Sequence, residues 1–155
     1  MDVMIVPEDL ADLLLGWPDI HVDEQAFPLL TVDEDGFPHV ALLSRAELDI
    51  NADRSAILAV VASTQTRENI RRRGRATLIA VHGEVAHYAK LRTSTTTDQD
   101  GLLGCVFDLV WHKRDSLGIP LSPIGFQATA EIVEMEHWAR TRSVLELLRT
   151  GTAER

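Results

Sequence analysis

The sequence predicts a mainly β protein, an antiparallel β-barrel of about six or seven strands with flanking helices. Short apolar runs bounded by turn residues recur along the chain, whereas helical periodicity is confined to one internal segment and the two ends. Strands and helices do not alternate regularly, so a parallel α/β sheet is not expected. The 155 residues match the size of one domain and contain no evident linker, so we expect a single domain over 1–155.

Composition limits the classes of function. Lys and Arg number 15 against 24 Asp and Glu, and the resulting net charge of −9 argues against a general nucleic-acid-binding protein. No apolar run is long enough for a membrane span, and the first six residues lack the layout of a signal peptide, so a cytoplasmic location is expected. The single cysteine, Cys105, excludes an intrachain disulfide and a multi-cysteine metal site.

The N-terminal third predicts a helix followed by a β-hairpin. Pro7 and the two acids after it favour a helix start, and Gly16 favours its end. The turn signal Glu34-Asp35-Gly36 lies between two apolar runs, which is typical of a hairpin. The expected elements are a leading helix at about 7–16 and strands at 27–32 and 38–44.

The middle of the chain predicts three strands and an internal helix. A short run rich in branched apolar residues is followed by Ser63 and Thr64, either of which can cap a helix. Three arginines occupy the last turn of that helix, where cations suit the dipole, and Gly74 ends it. Two further apolar runs, separated only by Gly83, are expected to pair. The predicted strands are 56–62, 75–82 and 84–92.

The C-terminal third combines a loop, two strands and a closing helix. Residues 93–100 are polar and show no periodicity, which indicates a surface loop. The larger apolar side chains between Cys105 and Trp111 alternate, and residues 125–135 also show a period of two, so both stretches predict strands. Apolar residues at helical spacing then predict a closing helix at about 136–150, with Gly151 as its C-terminal cap.

Arg67 is the unusual residue of the internal helix. A cation in the first turn opposes the positive end of the helix dipole, and a bound anion would reverse that effect. Free backbone N–H groups at the helix start, the hydroxyls of Ser63, Thr64 and Thr66, and Arg67 together resemble a phosphate-binding site. A capped surface helix with one unfavourably placed arginine remains the alternative interpretation.

The order of these segments resembles the pyridoxamine 5′-phosphate oxidase-like family of flavin-binding split barrels. The resemblance is strongest over 27–92 and most specific at Asn69-Ile70-Arg71-Arg72 followed by Gly74-Arg75 and an apolar strand. It implies an antiparallel Greek-key split barrel that binds FMN, and a homodimer with its cofactor sites at the subunit interface. Carried onto this sequence, the phosphate contacts are Ser63, Thr64, Thr66 and Arg67, and the ring-side contacts are Val40, Leu42, Ser44, Val61 and Ala62. Residues around Lys90 or Trp111 from the second subunit would complete each site.

The sequence departs from the oxidase pattern at its basic anchors. Gln65 and Thr66 stand at the helix start, and His39 and Ser44 stand on the first ring-side strand, where the oxidase has basic residues. The basic substrate signature near the oxidase C-terminus is also missing. The resemblance therefore implies an FMN-dependent oxidoreductase with an unknown small-molecule substrate and no assigned catalytic residue. Two alternatives stay open, a non-catalytic dimer that stores or senses a flavin, a deazaflavin or haem, and a cofactor-free dimeric interaction module.

Other chemistry-bearing residues favour structural roles. His82 and His87 are five apart on expected strands and would point to opposite faces, so no metal site is predicted. Cys105 lies in an apolar run, which favours a buried inert thiol over a nucleophile. The consecutive arginines 71–73 complement the helix dipole, and neither a nucleic-acid nor a membrane partner is expected.

Overall fold

A computed structural model describes residues 2–152. These residues form a curled seven-stranded antiparallel sheet in the order β3-β2-β6-β7-β8-β5-β4, a two-stranded sheet of β1 and β9, and four helices. The mainly antiparallel barrel predicted from the sequence is confirmed. The elements in chain order are α1 (Glu8–Leu14), β1 (Asp23–Gln25), β2 (Phe27–Val32), β3 (Pro38–Leu43), β4 (Leu48–Ile50), β5 (Ile57–Val61), α2 (Thr64–Arg73), β6 (Arg75–His82), β7 (Val85–Gln99), β8 (Leu102–Ser116), β9 (Gly125–Gln127), α3 (Ala130–Met135) and α4 (Trp138–Thr152).

The inner face of the curled sheet carries the main core. Alternate residues of each strand point inward, as Phe27 and Leu29 do on β2, and both are 1% exposed. Helix α1 lies against this core through Leu10 and Leu14, which are fully buried. Burial of each such side chain contributes about 1.5–3 kcal/mol. The alternation of strand residues therefore directs an apolar set inward and leaves the other set for the outer face.

The outer face is covered over only part of its width. Helix α4 packs on β5 and β8 through Val144 and Leu148. Gly104 allows this approach, because a Cβ at that position would meet Val144 at 3.1 Å and Leu148 at 3.3 Å. On β3, at the edge of the sheet, Val40 and Leu42 remain more than half exposed. The uncovered outer face is thus apolar and accessible at β3.

The C-terminal half differs from the prediction in three places. Residues 93–100 do not form a loop, because β7 continues to Gln99 and pairs with β8 beyond register shifts at Lys90/Leu91 and Thr93/Thr95. The strand predicted at 125–135 ends at Gln127, and α3 follows with Thr129 accepting a hydrogen bond from the Ile132 N–H. Gly151 lies inside α4 and does not cap it.

Three short elements were not predicted from the sequence. The three-residue strands β1 and β4 have too few positions to show a period of two, and α3 was not expected. The leading helix, the hairpin, the strand before α2, α2 itself and the β6–β7 pairing are confirmed. Within residues 2–152 the structure contains no helix with the length and apolarity that a membrane span requires.

Candidate functional site

The start of α2 has no side-chain cap. Ser63 occupies the N-cap position in an extended conformation, yet its side chain accepts no hydrogen bond from the first turn. The other end is closed as predicted: Gly74 adopts a left-handed conformation at φ 65° and donates its N–H to the Ile70 carbonyl at 2.7 Å. The N–H groups of the first turn therefore remain available to an external acceptor.

Two buried polar atoms beside this helix start have no hydrogen-bond partner among residues 2–152. Thr66 is fully buried, and its Oγ1 has no hydrogen-bond partner among residues 2–152. Arg67 donates from Nη2 to Thr64 Oγ1 at 3.3 Å, while its buried Nε has no acceptor in the same part of the chain. An unsatisfied buried hydroxyl costs about 1–3 kcal/mol, so this region favours a ligand that hydrogen-bonds here.

Asn69 attaches α2 to the β2–β3 hairpin. Its side chain is fully buried, and Nδ2 donates to Thr31 Oγ1 at 3.0 Å and to Asp33 Oδ1 at 2.8 Å. Its Oδ1 accepts from Gln65 at 3.0 Å and from Arg72 at 3.2 Å. This positioning role was not assigned from the sequence, although a polar residue beside the core residue Ile70 is a signal that could have found it.

The ring-side candidates lie in different environments. Val40 and Leu42 are exposed on the outer face of β3, and Ala62 is exposed before α2. The Val61 side chain is 1% exposed and belongs to the inner core. Ser44 is buried and donates from Oγ to Glu47 Oε1 at 2.9 Å. Side chains of Val40, Leu42 and Ala62 are therefore accessible to a ligand, whereas those of Val61 and Ser44 serve internal packing and hydrogen bonding.

Lys90 and Trp111 share a cross-strand row with Val40. The register pairs Val40 with Leu30, Leu30 with Thr77, Thr77 with Lys90 and Lys90 with Trp111. The Lys90 ammonium lies 4.6 Å from the centroid of the Trp111 ring, within the range of a cation–π contact. The row crosses five strands on the outer face, and thus brings together candidates that are far apart in the sequence.

An open groove of about 560 Å³ runs along this part of the outer face. We call it the outer groove. It collects residues of β2, β3, β6, β7 and β8. Its lining includes Leu30, Val32, Pro38, Arg75, Lys90 and Arg92.

A histidine pair, not predicted from the sequence, lies under α1. His87 is 2% exposed, and its Nδ1 is 3.0 Å from Nε2 of His112, with the two rings stacked. Arg114 donates two hydrogen bonds of 2.7 Å to Asp9, whose carboxylate is also 3.8 Å from His87 Nε2. Burial lowers the pKa of both imidazoles, and the Arg114 hydrogen bond lowers the pKa of Asp9 to about 2. Residues 2–152 contain no cluster of three or more His, Cys, Asp or Glu arranged to hold a metal.

Cys105 is fully buried in the inner core. Burial raises the pKa of its thiol to about 12, and the thiol contacts the Leu103 carbonyl at 3.8 Å. The thiolate that nucleophilic chemistry needs is therefore scarce at neutral pH. The structural role predicted for this residue agrees with its position.

Comparison with known proteins supports the fold. No protein-family model matches the sequence. The protein YclD of Bacillus subtilis, described as uncharacterized, is 39% identical over 67 residues, which span 43% of this chain and 44% of the relative. The styrene monooxygenase flavin reductase SMOB of Pseudomonas putida S12 has a TM-score of 0.55 at 9% identity, over 70% of this chain and 90% of its own. HupZ of Group A Streptococcus has a TM-score of 0.55 at 14% identity, and the match covers 76% of this chain and 99% of HupZ.

The flavin reductase PheA2 has a TM-score of 0.50 at 8% identity and covers 70% of this chain and 92% of its own. Structural similarity at such low sequence identity shows a shared fold alone. The helix after β5, the strand β3 after the first turn and the antiparallel sheet occur in the order that the resemblance implied. The chain therefore shares the split-barrel fold of these solved structures.

Proposed function

We propose that this protein binds FMN and acts as a flavin-dependent oxidoreductase on a small molecule. The observation that carries the proposal is the orphaned, fully buried hydroxyl of Thr66 beside the uncapped start of α2. Two solved structures of the same fold are named as flavin reductases, which supports a flavin in this fold. The substrate is not specified by either observation.

The residues at the helix start fit a phosphate. A dianion bound there would accept hydrogen bonds from the first-turn N–H groups and from the hydroxyls of Thr64 and Thr66. Arg67 adds a charge-assisted hydrogen bond, and the anion in turn removes the conflict between this cation and the helix dipole. Ser63 completes the set because its side chain is not used for capping.

Strand β3 fits the ring of the same ligand. On the side away from β2, its backbone N–H and C=O groups pair with no strand among residues 2–152, so they can pair with the polar edge of a flavin. Val40 and Leu42 supply an apolar surface that orients the ring and excludes water from one side. A bound flavin would supply the electron-transfer chemistry itself.

We further propose a homodimer whose cofactor sites lie at the subunit interface. The uncovered outer face exposes the apolar side chains of Val32, Val40, Leu42 and Trp111, which a second copy could cover. Pairing of two copies would bury this face by two-fold symmetry and bring Lys90 and Trp111 of each copy toward the other's site.

A non-catalytic flavin-binding or flavin-sensing dimer is the second candidate. The accessible ring-side residues Val40, Leu42 and Ala62 have no acid or base in their side chains. Spectroscopy of the purified chain distinguishes the ligand classes: flavin bands support either flavin function, a Soret band indicates haem, and no chromophore after reconstitution indicates a cofactor-free interaction module. Turnover of a reduced nicotinamide or another donor by the flavin-loaded chain would distinguish the enzyme from the carrier.

The decisive experiment on the site removes one hydroxyl. Thr66→Val should weaken FMN binding about tenfold, because one hydrogen bond to the phosphate is lost, and leave riboflavin binding unchanged. Without ligand the variant should be as stable as the parent or more so, since the orphaned buried hydroxyl is gone.

The matched control is Thr93→Val. Thr93 on β7 also has a buried hydroxyl without a partner among residues 2–152, but it lies outside the α2 start. It should alter FMN and riboflavin affinities equally or not at all. Fluorescence quenching measures the affinity for each ligand. Equal losses of affinity for FMN and riboflavin in Thr66→Val would show that the phosphate does not bind at this site.

A further inference from the structure

Two imidazoles meet between the sheet and the short helix α1. His87 on β7 and His112 on β8 are 3.0 Å apart, measured from Nδ1 to Nε2, and His87 is 2% exposed. The titratable and charged groups that face this pair are Asp9 on α1, Arg114 on β8 and His82 on β6. Asp9 is the only acid among the three, and it accepts both hydrogen bonds from Arg114.

The contact between the two rings has room for one proton. A neutral imidazole has one N–H and one lone pair, so one facing nitrogen donates and the other accepts. The first additional proton can occupy an outer ring nitrogen and leave this contact intact. When both rings are charged, every ring nitrogen carries hydrogen, and two N–H groups would face each other across 3.0 Å. A doubly protonated pair therefore cannot keep this geometry.

The surrounding charges also oppose the doubly protonated pair. Two imidazolium rings and Arg114 would place three positive charges around the carboxylate of Asp9. Their repulsion is strong because His87 is nearly shielded from water. Burial lowers the pKa of both imidazoles, in agreement with this geometry. Asp9 keeps its charge in mild acid, because the Arg114 hydrogen bond lowers its pKa to about 2.

Helix α1 is the element beside the pair that is held most weakly. It has seven residues and no side-chain cap, and so short a helix is not stable away from the sheet. Leu10 and Leu14 hold it in the core, and the ion pair of Asp9 with Arg114 holds its first turn. Strands β7 and β8, by contrast, have fifteen residues each and pair with each other along their length. Acid should therefore displace α1 before it disrupts the sheet.

We propose that α1 is a pH-operated cover of the inner core: double protonation of the His87–His112 pair in mild acid releases α1 while the sheet stays folded. The open state binds more protons than the closed state, so the equilibrium shifts toward the open state as pH falls. Each coupled proton changes the opening constant by up to about tenfold per pH unit. Release uncovers the part of the core that Leu10 and Leu14 occupy. The inference does not rest on the proposed flavin function, because neither the α2 start nor β3 takes part in it.

Hydrogen–deuterium exchange of the purified full-length chain tests this cover. Mass spectrometry reads the exchange, and the known pH dependence of intrinsic amide exchange is divided out. The amides of Ala11 and Leu15, which donate to the Pro7 and Ala11 carbonyls, report on α1, and the amides of α4 serve as the reference. From about pH 7.5 to about pH 5.5, the protection of α1 should fall about tenfold or more, whereas α4 should keep its protection.

A variant of one ring connects this opening to the pair. His112→Gln should remove most of the pH dependence, because the amide can donate to a neutral His87 and its carbonyl can accept from a charged one. The matched control is His82→Gln on β6. His82 is exposed in the closed chain, so release of α1 does not give it access to water, and this variant should keep the pH dependence. Circular dichroism and the protection of α4 show that each variant is folded.

Three results would overturn the inference: equal protection of α1 at both pH values, parallel loss of protection in α1 and α4, or equal effects of His112→Gln and His82→Gln. If His112→Gln does not fold, His87→Gln makes the same test from the buried ring, and retention of the full pH dependence there contradicts the cover. No measurement in this series uses FMN, so its outcome is separate from that of the flavin titrations.

Discussion

At the scale of single residues, a charge change at Arg67 tests the proposed phosphate site. Its guanidinium lies over the helix start at 3.3 Å from the Thr64 hydroxyl, where the dipole disfavours a cation. Arg67→Glu should weaken FMN binding by about 2–3 kcal/mol, roughly a hundredfold, because an attractive contact becomes repulsive. Riboflavin lacks the phosphate, so its affinity should hardly change.

The unliganded Arg67→Glu chain should be no less stable than the parent, since an acid in the first turn suits the dipole. Fluorescence titration with both ligands and calorimetric melting of the apo chain measure the two effects. Equal changes in the affinities for FMN and riboflavin would show that Arg67 is an ordinary surface residue and does not bind the phosphate.

The buried histidine pair predicts acid sensitivity. Burial lowers the pKa of His87 and His112 below the ordinary 6.5, so the unfolded chain binds protons in a pH range where the folded chain does not. The groups that face the pair are Asp9 on α1, Arg114 on β8 and His82 on β6. The free energy of unfolding should therefore fall as pH drops below about 6.5.

Denaturant unfolding at a series of pH values measures this dependence. A His87→Gln/His112→Gln chain should lose the decline that begins near pH 6.5. Asp9 provides an internal control at lower pH, because its contribution is present above 3.8 and is lost as pH falls toward its pKa of about 2. An unchanged profile in the double variant between pH 7 and 5 would contradict the role of the pair.

At the scale of elements, one buried carboxylate adds ion pairs to the apolar contacts between α4 and the sheet. Asp49 on β4 is fully buried and lies 3.1 Å from Arg142 and 3.4 Å from Arg149. Asp49→Ala should destabilise the chain by about 2–3 kcal/mol, less than a fully buried pair would lose, because both arginines keep contact with water. Denaturant unfolding checks the loss. Arg140→Ala on the same helix is the control and should cost far less.

At the scale of the whole molecule, we expect a dimer in solution. Val32 is 37% exposed on the uncovered outer face, whereas Leu147 is 59% exposed on α4. Val32→Glu should yield a monomer by light scattering, because it would bury a charge in the interface, and Leu147→Glu should remain dimeric. A stable wild-type monomer that carries bound flavin would contradict both the dimer and the shared site.

Several elements could be predicted from the sequence because their signals are local. The turn Glu34-Asp35-Gly36, the last-turn arginines of α2 and Gly74 each act through neighbouring backbone, and the structure confirms the hairpin and the helix that they indicated. The same helix brings together the predicted phosphate contacts, because its N-cap and first turn contain Ser63, Thr64, Thr66 and Arg67. Their binding role stays a prediction that the FMN and riboflavin titrations address.

Other features were decided only by the tertiary structure, because they depend on which strands become neighbours. The polar stretch predicted as a loop has no inward-facing apolar set, yet residues 93–99 of it continue β7 because β8 supplies their hydrogen bonds. Register across strands produces three juxtapositions: the row from Val40 to Trp111, the opposed Arg75 and Arg92, and the contact of His87 with His112. Amino-acid spacing determines which face a side chain takes, whereas the partner on that face is set by strand order and register.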